Sequence, residues 1–402
     1  MTAPLAGIRV LELASFVAAP AAGALLADLG AEVIKVEVPW GEIYRHSLPR
    51  FAGYDSDFGL APHFQMDNRG KRSVALDLAL PEAVTALERL VGRADVLLTN
   101  MLPARLEKYG LDPGALHAKY PALIVARVSG YGPIGPEADS PAFDYSSYWA
   151  RTGLMDLLHE PDAKPAFQRP GMGDHSASLA LVVGVLSALR QRDRGEPGQR
   201  IDVSLQHIGF YVEGNDAAMT LVTGQTPPRH DRSQPRNPLW NHYPTRDGRW
   251  LFLVMIESDR YWGEFAHALG LAELATDARF AGAALRYHNS AELVRILDGV
   301  FGSKPLAEWT KLLSGRRLIW SPVLTLAEAV EDEPAKAFES FPTVQHPTEG
   351  AFRTVAPPLK MSGHPMYCTT PAPDLAADTE AVLREAGLPE AEIALLVAAA
   401  SR

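Results

Sequence analysis

Short apolar runs of strand length recur through the first two hundred residues, each followed by a stretch with helical spacing. Residues 8–13 read as a strand, and residues 21–29 as a helix stopped by Gly30. Strands are predicted at 32–38, 73–78, 95–99 and 123–129, with a helix at 82–91. Strands alternating with helices predict right-handed βαβ units and a mostly parallel sheet, which binds ligands beyond the carboxyl ends of its strands. Those ends place Ala14-Ser15-Phe16-Val17 and residues 40–45, 100–108 and 130–132 together. The apolar run 177–189 predicts a long helix closing at Arg190-Gln191-Arg192, and 200–205 another strand.

The pattern changes further on. Residues 224–238 are rich in Pro, Arg, Gln and Asn and read as a linker. A hairpin-like turn at 242–249 precedes a strand at 250–255, and helical spacing follows at 261–269, 291–301 and 305–313. Residues 342–365 are punctuated by Pro, and 379–399 read as helix. The expected organisation is a large α/β domain from 1–205 and 345–402, a linker at 206–235, a small α+β domain at 236–335 and a second linker at 336–344.

Composition narrows the function. A net charge of −10 argues against non-specific binding to nucleic acid or acidic membranes, so an anionic ligand needs a local cluster of cations. The single cysteine, Cys368, excludes an internal disulfide. Residues 1–10 do not read as a signal peptide, and the apolar run 179–189 falls short of the ~18 residues of a membrane span. A soluble, cytoplasmic protein is expected. No P-loop, no G-x-G-x-x-G dinucleotide fingerprint at the strand-end turns, no metal site and no G-x-S-x-G nucleophile elbow is expected.

The sharpest local signal is Gly171-Met172-Gly173-Asp174-His175-Ser176 at the mouth of the long helix. A carboxylate on a glycine turn is reachable by a bulky ligand, and the helix N-terminus favours its ionised form, which suits a nucleophile. Asp is equally a preferred N-cap residue, and on spacing alone the cap is the commoner outcome. A basic loop, Asn68-Arg69-Gly70-Lys71-Arg72-Ser73, precedes the third strand. It could bind phosphate, although most short basic runs are merely solvated. Arg45, Arg105 and Lys108 lie in loops at the same predicted edge. Asp144 and Glu12 are further carboxylates near it, each equally able to serve as a structural acceptor.

Ordered segments across nearly the whole chain resemble the class III CoA-transferases and their relative alpha-methylacyl-CoA racemase. They are residues 4–12, 26–37, 68–73, 95–100, 129–133, Gly173-Asp174, 198–204 and 243–248. The resemblance implies a large Rossmann-like α/β domain with a smaller α+β domain, in an interlocked homodimer. It implies that Asp174 is the catalytic nucleophile, with Asp144 standing where the transferases carry a glutamate. It implies CoA contacts from Phe16, Val17, Ala18, Arg45, Lys71, Arg72, Asn100 and Lys108, with coenzyme A as substrate and no metal.

The implied activity moves CoA from an acyl-CoA donor to a free carboxylic acid through an aspartyl mixed anhydride and an aspartyl-CoA thioester. The racemase has a His-Asp pair where Phe143-Asp144 stands here, and Phe143 cannot exchange a proton. An acyl-CoA isomerase and a catalytically silent acyl-CoA-binding subunit are the alternatives. Residues 231–240 lack the glycine-rich flap common in the transferases. Tyr44, Phe51, Tyr54, Tyr148 and Trp149 could line a bulky acyl pocket or simply pack.

Overall fold

The computed structural model describes residues 2–401. Six strands form one sheet: β1 (Arg9–Leu13), β2 (Glu32–Glu37), β3 (Arg72–Ala75), β4 (Val96–Thr99), β5 (Ile124–Ser129) and β6 (Arg200–Ser204). Their spatial order is β3-β2-β1-β4-β5-β6, and every neighbouring pair is parallel. The order reverses between β1 and β4, the switch point at which such sheets open a crevice above their carboxyl ends.

Helices α1 (Ala18–Asp28), α2 (Pro62–Asn68), α3 (Pro81–Val91), α4 (Pro103–Lys108) and α5 (Pro113–Lys119) connect the first strands. Four of them, α2 to α5, begin on Pro, where the missing N–H costs nothing. One core unites Leu11, Ile34, Val36, Val74, Leu97 and Val125 with Leu87 and Leu90 of α3 and with Leu383 and Ile393 near the C-terminus. Each such side chain contributes about 1.5–3 kcal/mol of burial.

A single turn, α6 (Leu154–Leu157), precedes the long α7 (Met172–Arg192). α7 is long and apolar enough to cross a bilayer by length and composition, and Ala177, Leu181, Val185 and Leu189 bury one side of it in the protein. Its other side leaves Val183 exposed. Residues 206–223, expected as a linker, form two helices, α8 (Leu205–Val212) and α9 (Gly214–Thr223). Ser204 caps α8 by accepting the His207 N–H at 3.0 Å, a signal hidden inside a predicted strand. Gly130-Tyr131-Gly132-Pro133-Ile134-Gly135 does have dinucleotide-fingerprint spacing, but the segment following β5 is turn and coil, and the next helical turn is at Tyr145–Ala150.

A returning segment seals β3 at the sheet edge. Asp378 accepts the Ser73 N–H at 2.9 Å, Thr379 accepts that of Ala75 at 3.0 Å, and Asp378 N–H donates to the Ser73 carbonyl at 2.9 Å. The predicted C-terminal helix is two helices, Thr379–Glu385 and Glu390–Ala400, broken at Gly387 and Pro389.

The chain divides into two compact units. The larger runs to Met155 and adds Phe167–Gln225 and Pro334 onward; the smaller holds Asp156–Ala166 and Thr226–Glu333. In the smaller, Trp240–Pro244, Trp250–Val254 and Trp320–Pro322 form an antiparallel sheet. Its hairpin turn is fixed by Thr245 donating to Asp247 at 2.6 Å, with Gly248 at φ +72°. Tyr243, Leu251, Phe265, Phe280, Leu297, Phe301 and Trp309 fill its core.

Candidate active site

A cavity of about 830 Å³ opens above the carboxyl ends of β1, β4 and β5. The turn after β1 supplies Ser15, Phe16, Val17 and Ala18, that after β4 supplies Asn100, and that after β5 Gly130. Asn100 holds the β1 turn from both sides, accepting the Ser15 N–H at 3.2 Å and donating to its carbonyl at 2.7 Å. Phe16 has φ +64°, a left-handed conformation that costs a non-glycine residue of order 1–3 kcal/mol. The Glu42 carboxylate offsets this cost by accepting the Phe16 N–H at 2.6 Å.

Asp174 lines the same cavity. It does not cap α7: Gly171, at φ +77°, is the N-cap, and Asp174 lies inside the first turn. Gly173 is required by a close approach, because a Cβ there would stand 2.5 Å from Tyr148 Cγ. Its N–H donates to Asp144 at 3.1 Å, and Gln168 donates to the same carboxylate oxygen at 2.5 Å. Asp144 is buried, so it acts from beneath the turn rather than from the cavity wall.

Burial, and then the charges of Asp144 and Asp67, push Asp174 up to about 7, while His175 opposes them. The helix N-terminus alone suggested a lower value. His175 reaches Asp67 through Nε2 at 3.1 Å. Burial pulls the imidazole down, but Asp67, Asp174 and Asp144 outweigh it and raise its pKa. Tyr44 stacks on His63 at 4.2 Å between centroids, and burial with the charges of Asp67 and Asp174 holds its phenol well above the usual value. Phe143 meets Phe16 edge to face, 5.1 Å between centroids.

The predicted cations divide. Lys71 is wholly buried, paired with Glu12 at 2.7 Å and donating to the Pro20 carbonyl and Asn68 Oδ1. Burial pulls it down to about 8. Glu12 also binds Lys35 at 2.9 Å, and Lys35 binds Glu42 at 2.8 Å. This chain of charges runs under the Phe16 turn, and both its lysines are spent inside the fold. Arg72 points instead to Glu32 and Glu385, and Arg69 to Asp28. Arg45 is held by Glu37 and the Pro373 carbonyl and stacks 4.3 Å over Phe64. Lys108 lies over Tyr109 and does not line the cavity. Arg105, one helical turn earlier, does line it.

The structure therefore gathers Phe16, Val17, Ala18, Asn100 and Asp174 around one space, with Asp144 behind them. It directs Arg45, Lys71, Arg72 and Lys108 elsewhere. Sequence reasoning missed Glu42, Asp67 and Gln168, whose contacts span 26, 108 and 24 positions and leave no local pattern. Tyr148 and Trp149 are buried packing residues, whereas Phe51 and Tyr54 are exposed.

A parallel sheet with a crevice at its switch point, and an acid on a glycine turn facing it, define an α/β enzyme with a reachable carboxylate. The profile of CoA-transferase family III matches residues 5–379, and the chain belongs to that family. It is a CoA-transferase. It is 32% identical over 97% of its length to (R)-2-hydroxy-4-methylpentanoate CoA-transferase from Clostridioides difficile, covering 97% of that protein. It is 33% identical over 96% of its length to cinnamoyl-CoA:phenyllactate CoA-transferase from Clostridium sporogenes, covering 94% of it. A CaiB/BaiF family protein from Brucella suis superposes with TM-score 0.85 at 31% identity, over 96% of this chain and all of that one (100%).

Proposed function

We propose that the chain transfers CoA between carboxylic acids through a covalent intermediate on Asp174. The observation that carries this is the position of Asp174: on the cavity wall, in a helix first turn whose N–H groups are aligned by Gly171 and by the Asp144–Gly173 bond. An Asp174 oxygen attacks the thioester carbonyl, the C–S bond breaks, and CoA leaves as thiolate with the electron pair. The thiolate then attacks the aspartyl carbonyl of the mixed anhydride and expels the first acid. An incoming carboxylate attacks the aspartyl thioester and releases CoA again, and the thiolate recaptures the new acyl group. Each step exchanges one activated acyl group for another, so no external energy source enters. The positive end of α7 stabilises the oxyanions, the Gly173 N–H itself being taken by Asp144.

Phe16, Val17, Ala18 and Asn100 line the CoA cavity, and Arg105 meets a phosphate there. A homodimer is supported by the apolar side chains that α7 to α9 leave uncovered, among them Val183, Tyr211, Leu221 and Val222.

Hydroxylamine added during turnover with an acyl-CoA should convert Asp174 to a hydroxamate, read as a mass shift on its peptide. Trapping at another carboxylate, such as Asp144, would sink the mechanism. An isomerase needs acid/base groups on both faces of the α-carbon. Phe143 supplies none, so deuterium from solvent should not enter the α-carbon of a 2-methylacyl-CoA.

A further inference from the structure

We propose that the acids exchanged at Asp174 carry a neutral ring or a group of similar bulk, seated against a preformed wall made by Phe16 and Phe143. This rests on the transferase reading and adds the substrate class to it.

Phe16 and Phe143 line the cavity together with Asp174, and their edge-to-face pairing leaves Phe143 more than half exposed, at 56%. Tyr44, which does not line the cavity, lies 6.2 Å from Phe16 between centroids and is itself packed at a tilt against His63. Two rings at right angles on one open space, with Tyr44 packed against the first, offer a face and an edge to a third, the arrangement aromatic groups prefer.

The wall is fixed rather than adaptable. Phe16 is held at φ +64° by the Glu42 carboxylate, and Glu42 is anchored by the buried Lys35. A backbone clamped in a sparsely populated conformation fixes where the ring points. Trp40 and Ile43, also on the cavity wall, extend the apolar surface and are 71% and 66% exposed.

Charge argues the same way. Asp144 and Asp67 lie near Asp174, and the His175 charge is matched by its bond to Asp67. Among the groups acting on Asp174 two carboxylates oppose one imidazole, so their field is net negative, and Arg105 on the same cavity wall is the cation assigned above to a CoA phosphate. A second carboxylate on the acyl chain would be repelled there, whereas a neutral ring loses nothing.

The experiment compares CoA transfer from 3-phenylpropionyl-CoA, acetyl-CoA and succinyl-CoA to a common labelled acid, followed by mass spectrometry, for the native chain, Phe143→Ala and Phe143→Leu. The expected result is a kcat/KM for the phenyl donor at least about tenfold above the other two. That ratio should shrink about tenfold in Phe143→Ala and be partly restored in Phe143→Leu. Succinyl-CoA or acetyl-CoA equalling the phenyl donor in the native chain overturns the aromatic wall while leaving the transferase reading standing. Transfer from none of the three removes both. An unchanged ratio in a folded Phe143→Ala protein overturns the role of this ring.

Discussion

Asp144 accepts the backbone N–H of Gly173, 3.1 Å away, and so holds the peptide immediately before Asp174. One buried carboxylate thereby does two things to another. It fixes the turn that presents Asp174, and its charge helps to raise the pKa of Asp174 to about 7. Asp144 thus sets orientation through the Gly173 N–H and basicity through its charge.

Activity should fall as pH drops through about 7, because the nucleophile must be ionised. Asp144→Asn removes a neighbouring charge and should move this acidic limb down by about a unit. His175→Gln removes the opposing charge and should move it up. Two limbs shifting in the same direction in pH profiles of kcat/KM, which report the free enzyme, would contradict this electrostatic account.

Asp174→Asn should abolish transfer yet stabilise the protein at pH 8. Asp174 has a folded pKa near 7 against 3.8 in the reference state, so the folded protein binds the extra proton between those values. Native stability therefore rises as pH falls from 7 towards 4, and the ionised carboxylate is a cost above 7. Asn does not titrate, so the variant's advantage, on the order of 2 kcal/mol after solvent screening, should shrink across that window. Urea unfolding at pH 8 and pH 5 measures it, and a variant less stable at both would refute the prediction.

Lys71→Met should damage the fold rather than CoA affinity. It leaves Glu12 in the interior with one cation instead of two, at a cost of about 3 kcal/mol. Chemical denaturation should show the loss, while CoA binding by the folded fraction stays within twofold. Native stability with weakened CoA binding would return Lys71 to the phosphate site.

Arg105→Ala should weaken CoA binding and flatten its dependence on salt, since Arg105 lines the cavity. Calorimetric titration at low and high ionic strength reads both quantities. An unaltered salt slope would place the phosphates elsewhere.

The sheet was legible because parallel strands buried on both faces read as continuous apolar runs such as Val10-Leu11 and Val96-Leu97-Leu98. Asp174 was legible because two glycines mark a tight turn in any sequence. The fate of the cations was not. Lys71 and Arg105 look alike in one dimension, and only the packing of Gly23 over Glu12 and Lys71 shows which of them is enclosed. A Cβ at Gly23 would stand 2.2 Å from the Glu12 carboxylate. Helices α8 and α9 were missed because their exposed apolar positions blur the contrast between faces on which helical spacing depends.

The seal on β3 also bears on how the chain is made. Ser73 and its closing residue, Asp378, are 305 positions apart. On the ribosome the edge of the sheet therefore waits, with its amides open, while the intervening chain emerges. An interrupted chain retains that raw edge, a template for pairing with a neighbour. Closure of β3 therefore comes only after the residues between Ser73 and Asp378 have been made.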